Sequence, residues 1–126
     1  MVKKEFTYRG KTVEEMKKMD LKEFMDLLPS RERRSLKRGF TEQEKILIEE
    51  LKVKDNPKTQ CRDLIIIPQI IGKKVRIYTG KEFVQIMIEP DMIGHRLGEF
   101  AMTRKGVAHS APGIGATRSS ASLSVK

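Results

Sequence analysis

Three side chains able to do chemistry recur four residues apart: Asp91, His95 and Glu99. On a continuous helix they would share a face, where a carboxylate, an imidazole and a carboxylate can hold a divalent cation and activate water against a phosphodiester. Gly94 and Gly98 lie in the same stretch, and each costs about 1 kcal/mol inside a helix. Glycine is more useful where one backbone must approach another chain closely. Gly94, His95, Arg96 and Gly98 therefore read as a contact surface for RNA sugar and phosphate, with His95 and Arg96 donating to oxygens. No metal, cofactor or catalytic residue is expected.

The second chemistry is charge. Ser30 to Gly39 holds Arg31, Arg33, Arg34, Lys37 and Arg38 against the single acid Glu32. If the segment is helical, Arg31, Arg34 and Arg38 lie along one side with Lys37 adjacent, a geometry that can follow a phosphate backbone. The alternative is a solvated charged face that binds nothing; the unpaired excess of cations favours RNA. Nucleophilic chemistry has less support. His95 and His109 are the only histidines, neither has a Ser or Cys partner in local sequence, and Cys61 precedes Arg62 outside any nucleophile motif. Pro112 to Ser120 is glycine-containing but lacks the Gly-Lys-Ser/Thr ending of a phosphate-binding loop.

The elements that must position these residues follow from three stretches of different charge. Residues 1–60 carry 16 basic and 12 acidic side chains, residues 61–102 carry 6 and 5, and residues 103–126 carry 4 and 0. The first is read as a helical extension bearing the basic cluster, the second as the core, the third as a flexible basic tail. Thr12 with Glu15, Asp20 with Glu23, and Thr41 with Glu44 each set a capping residue three before an acid, so helices are predicted to begin there. Leu21, Phe24, Met25 and Leu28 give one of them an apolar face, and Ile46, Leu47, Leu51 and Ile48 another. Phe6 and Tyr8 alternate with polar neighbours in a short extended piece.

Beyond Arg62 the period becomes that of strands. Val75 and Ile77 alternate with Lys74 and Arg76, and after Thr79-Gly80-Lys81 the residues Val84, Ile86 and Ile88 share a face, which predicts a hairpin. Leu64 to Ile67 is assigned as the third strand. Helices covering a small antiparallel sheet make an α+β fold. The longest apolar run, Leu64 to Ile67, ends at Pro68, far short of the roughly 20 residues that cross a bilayer, so no membrane is expected. The N-terminus shows no secretory signal, and a single cysteine excludes an intramolecular disulfide. Ordering 24 tail residues costs about 1–2 kcal/mol each in backbone entropy, so the tail needs a large partner to become ordered.

Several motifs together carry a resemblance: Cys61-Arg62-Asp63 leading into Ile65-Ile66-Ile67-Pro68, Tyr78-Thr79-Gly80-Lys81-Glu82-Phe83, and Met92 through Ala101, followed by His109 and Pro112 to Ser120. The chain resembles the universal small-subunit ribosomal protein nineteen family, protein fifteen in eukaryotes. Arg31 to Phe40 and the Pro112 to Ser120 segment are similar to its archaeal and eukaryotic branch, here in the archaeal form. The resemblance implies a place in the head of the small ribosomal subunit, contacts with small-subunit ribosomal RNA, a neighbour in ribosomal protein thirteen, and a tail reaching transfer RNA near the decoding region.

The resemblance also places RNA contacts at Lys73, Lys74, Arg76 and Lys81 in the hairpin, at His95, Arg96 and Arg104, and at His109 and Arg118 along the tail. Arg62 and Lys105 complete the candidate set. Arg104-Lys105-Gly106 and the Leu123 to Lys126 ending depart from the pattern of relatives. A structural RNA-binding component is the leading reading, with cytoplasmic, ribosomal localisation. The competitors are a metal-dependent RNA nuclease using Asp91, His95 and Glu99, and a free-standing basic nucleic-acid-binding protein, which the net charge of +9 fits equally well.

Overall fold

A computed structural model describes residues 4–110, 112–113 and 116–121. The capping signals start helices where the spacing predicts. Thr12 and Glu15 form a reciprocal box ahead of α1 (Val13–Lys18), and Thr41 and Glu44 form another ahead of α4 (Glu42–Val53). Each box satisfies backbone N–H groups that the first turn leaves orphaned. Asp20 Oδ1 accepts from Leu21 N–H at 2.8 Å to open α2 (Leu21–Leu27). The basic segment is helical as α3 (Ser30–Lys37), entered through Pro29 without a side-chain cap. Ahead of α1, Thr7–Tyr8 (β1) and Lys11–Thr12 (β2) pair antiparallel across a turn in which Arg9 and Gly10 both take positive φ.

The second sheet has three strands, but Leu64 to Ile67 is not one of them. Lys58–Thr59 (β3) pairs parallel with Lys74–Tyr78 (β4), which pairs antiparallel with Phe83–Met87 (β5). The α+β class holds, while the sheet is mixed. The apolar run has a different partner: Gly94 N–H donates to Ile66 O, Ile66 N–H to His95 O, Leu97 N–H to Leu64 O and Gly98 N–H to Arg62 O, at 2.8 to 3.1 Å. Residues 62–66 thus run alongside residues 94–98, with one formal bridge between Ile65 and Arg96. An uninterrupted apolar run suits this position because it is buried on all sides, and Leu64, Ile65, Ile66 and Ile67 are at most 3% exposed. Apolar patterning reports burial, and a buried extended segment reads the same whichever chain it pairs with.

One core draws on both of the first two stretches. Met16, Phe24, Leu28, Leu36, Leu47 and Leu51 from the helices pack with Leu64 to Ile67, Val75, Ile77, Ile88, Ile93 and Leu97. Each such side chain contributes roughly 1.5–3 kcal/mol when fully removed from water. On α4 the apolar face is Leu47, Leu51 and half-buried Ile48, whereas Ile46 is 57% exposed. Ile46 precedes Leu47 by one residue, about 100° around the helix, which turns it off the core face. Among the described residues, no helix is long and apolar enough to cross a membrane.

Candidate nucleic-acid interface

The helix α3 sorts its cations by direction. Leu36 faces the core, and Arg33, half-buried, turns back over the end of α2: its guanidinium donates to the carbonyls of Met25, Asp26 and Leu28 at 3.3, 3.2 and 2.9 Å. These carbonyls end α2, where Met25 O also accepts from Leu28 N–H at 3.1 Å, so Arg33 is a C-terminal cap. Arg31, Arg34, Lys37 and Arg38 are exposed, and Arg31, Arg34 and Arg38 fall within about 60° of one another at 100° per residue. They present a row of positive charge to solvent.

Arg62 and Arg96 join the glycine motif, the Met92 through Ala101 stretch with Gly94 and Gly98, to the rest of the fold. The Arg62 guanidinium donates to Tyr78 O at 2.7 Å, Gly98 O at 2.7 Å and Ala101 O at 2.6 Å, locking the hairpin to the end of the core. Gly98 is required beneath it, since a Cβ there would lie 2.9 Å from Arg62 Cβ and 3.1 Å from Arg62 O. Gly94 has φ +81°, and its Cβ would meet Leu28 Cδ2 and Tyr8 Oη at 3.0 Å. Both glycines thus have reasons inside the fold. Arg96 donates to Asp63 O at 3.2 Å and to Ser35 Oγ at 3.1 Å. The second of these bonds sets the glycine motif against α3, next to the row formed by Arg31, Arg34 and Arg38.

The triad spacing does not become a triad. Asp91 lies in a 3-10 turn (Pro90–Met92), Gly94 breaks the chain direction with its positive φ, and Glu99 lies in a second 3-10 turn (Leu97–Phe100). His95 Nδ1 and Glu99 Oε2 are 2.8 Å apart, and the other oxygen of Glu99 accepts from Arg96 N–H at 3.4 Å. Glu99 orients the imidazole, whose ring meets Phe100 edge-on at 6.0 Å. Among the described residues, no three His, Cys, Asp or Glu side chains come together as a metal site. Asp91, His95 and Glu99 thus do not share the continuous helical face on which the metal-dependent nuclease reading rests.

Cys61 lines an open hollow of about 700 Å³ with Glu42, Glu44 and Asp63, acids of the wrong sign for phosphate. Burial pushes its thiol up, partly offset by the hydrogen bond with Thr59, and Glu44 and Asp63 raise it further. A thiol held protonated is a poor nucleophile.

The hairpin divides its two faces cleanly. Val75 and Ile77 are fully buried and Val84 and Ile86 half-buried, while Lys74, Arg76 and Tyr78 on β4 stand opposite Met87, Gln85 and Phe83 on β5. Arg76 is braced by its Nε donating to Asn56 O at 3.2 Å. Lys73 and Lys81 are exposed beside this face. Lys58, Tyr78 and Phe83 belong to it as well, although they are absent from the sequence candidates. The signal lay in the alternation, since Phe83 is out of phase with Val84, Ile86 and Ile88.

Arg104, Lys105, His109 and Arg118 are all exposed, the last at the start of α5 (Arg118–Ala121). Lys105 Nζ bonds Glu82 at 2.6 Å, which holds the Glu82 carboxyl below its usual range. Ile114, Gly115 and the Leu123 to Lys126 ending lie outside the described residues.

Residues 34–109 match the family model described as Ribosomal protein S19. A relative from Picrophilus torridus, named Small ribosomal subunit protein uS19, is 52% identical over 124 residues, covering 98% of this chain and 82% of the relative. The family match begins within α3 and extends through the glycine motif to His109, so it contains the hairpin and most of the core. The chain belongs to the ribosomal protein S19 family, in its archaeal form.

Proposed function

We propose that this chain is a structural constituent of the small ribosomal subunit that binds small-subunit ribosomal RNA and catalyses no reaction. The observation that carries the reading is the junction at Arg96 and Ser35, which makes the exposed cations of α3 and the glycine motif one surface. Arg31, Arg34, Lys37 and Arg38 would neutralise phosphates, as would Lys73, Lys74, Arg76 and Lys81 from the hairpin. His95 and Arg96 would donate to sugar or phosphate oxygens from between them, beside Gly94 and Gly98. Arg33 and Arg62 act one step back, holding the elements in register. The name of the Picrophilus torridus relative supports the subunit assignment, and with it a cytoplasmic ribosomal location.

In the same reading the chain sits in the subunit head beside ribosomal protein thirteen. Arg104, Lys105, His109 and Arg118 would extend toward transfer RNA near the decoding region. The family's motifs support these finer placements. A surface making about 6–10 phosphate contacts loses roughly 10³- to 10⁵-fold in affinity between 50 and 200 mM salt. Titration of a small-subunit ribosomal RNA transcript across that range tests the mechanism, and a salt-independent affinity would refute it.

A further inference from the structure

The solvent face of the β4–β5 hairpin carries something that phosphate binding does not need: two aromatic rings. Tyr78 and Phe83 stand opposite each other across the strands, with ring centroids 5.1 Å apart and planes tilted by 46°. Phe83 is 37% exposed, and Met87, two residues further along the same face of β5 from Gln85, is 53% exposed. The Tyr78 hydroxyl donates to Gly80 O at 2.7 Å, which ties its ring to the hairpin turn. Lys58 Nζ stands 5.3 Å from the centre of the Phe83 ring. Arg76 and Lys74 lie on the same face two and four residues along β4 from Tyr78.

An exposed ring among cations selects its partner by both features. Apolar flat surface favours another flat apolar surface, and the charges require that surface to be carried on a polyanion. Glu82 is the only acid between Lys74 and Met87, and it is already bonded to Lys105. An unstacked nucleobase on an RNA backbone meets both demands, because every base has a π face and its phosphates fall within reach of the lysines. A paired base offers no free face, so the base must come from a loop, a bulge or an end.

We propose that the outer face of the β4–β5 hairpin is a stacking platform, on which Phe83 receives an unpaired RNA base while Lys58, Lys74 and Arg76 hold its backbone. The platform rests on the RNA-binding reading above but assigns a different kind of contact, one that reads unpaired structure instead of charge. Because stacking removes no phosphate contact, its loss lowers affinity without changing the salt slope, and the two claims can fail separately.

The test uses the full chain and a small-subunit ribosomal RNA transcript, with binding measured over a salt series for wild type, Phe83→Leu and Phe83→Trp. Base-specific chemical probing of the bound RNA and a thermal melt of each protein accompany it. Phe83→Leu keeps apolar volume and is expected to bind roughly tenfold more weakly at unchanged salt slope, with one unpaired base losing its protection. Phe83→Trp is expected to retain both affinity and protection. Wild-type affinity and protection in Phe83→Leu would overturn the platform while leaving phosphate binding intact, as would weaker binding explained by a lowered melting temperature with every protection kept. Cross-linking of this face to a neighbouring protein in assembled subunits would also overturn it. Wild type failing to bind the transcript would refute the RNA-binding reading and the platform together.

Discussion

Arginines of identical chemistry do two jobs in this chain, and the difference is where their donors go. Arg62 spends its guanidinium on three carbonyls of the fold, whereas Arg31 presents its own to solvent. Hydrogen bonds from a charged donor contribute roughly 1.5–3 kcal/mol each. Arg62→Met, which keeps much of the stem but leaves the three carbonyls unpaired, is therefore expected to destabilise the fold by about 3 kcal/mol or more in urea unfolding. A loss under about 1 kcal/mol would contradict that role. Arg31→Gln should leave stability nearly unchanged, as surface substitutions usually do. Local sequence does not separate these cases: Arg62 sits between a cysteine and an aspartate, and its partners are 16, 36 and 39 residues away. Arg33, grouped by composition with the RNA-facing cations, lies on a helix about 160° from Arg31 and faces away from the Arg31, Arg34 and Arg38 row.

At the scale of elements, the basic face of α3 stands apart from the core that supports it. Neutralising Arg31, Arg34 and Arg38 together by substitution with glutamine would remove up to three of the proposed phosphate contacts. The slope of log affinity against log salt is then expected to become shallower by about 2–3, with the unfolding midpoint unchanged. An unchanged slope would make the row a solvated face only. The helix starts were legible because their signals are local: Thr12 with Glu15 and Thr41 with Glu44 form the boxes their spacing predicts. The hairpin was legible for the same reason, with Gly80 at φ +99° in its turn. The third strand was not. Lys58–Thr59 is two residues long and has no alternation to read, and its parallel pairing with β4 spans 18 positions. The site residues Asp91, His95 and Glu99 misled for a related reason, because periodicity implies a shared face only when the helix is continuous.

Over the whole molecule, one core joins the helices to the strands and ends at Ala101, which is 1% exposed. The described residues beyond it are exposed, and among them Lys105 bonds Glu82 of the body at the surface. Ending the chain after Thr103 is expected to keep the melting temperature within about 2 °C of the full chain. A fall of more than about 8 °C would show that the tail belongs to the folded body. The composition of residues 103–126, basic without any acid, is what suggests this division. The mixed signs of residues 1–60 did not reveal that their apolar residues complete the central core, because charge patterning describes the surface while burial is decided by contacts distant in sequence.

Sedimentation of a cell extract through sucrose tests whether this chain is held in the small subunit through its RNA. With the protein followed against small-subunit ribosomal RNA at moderate and at high salt, stoichiometric co-migration with the subunit is expected at moderate salt. Migration as a free small protein under both conditions would contradict it.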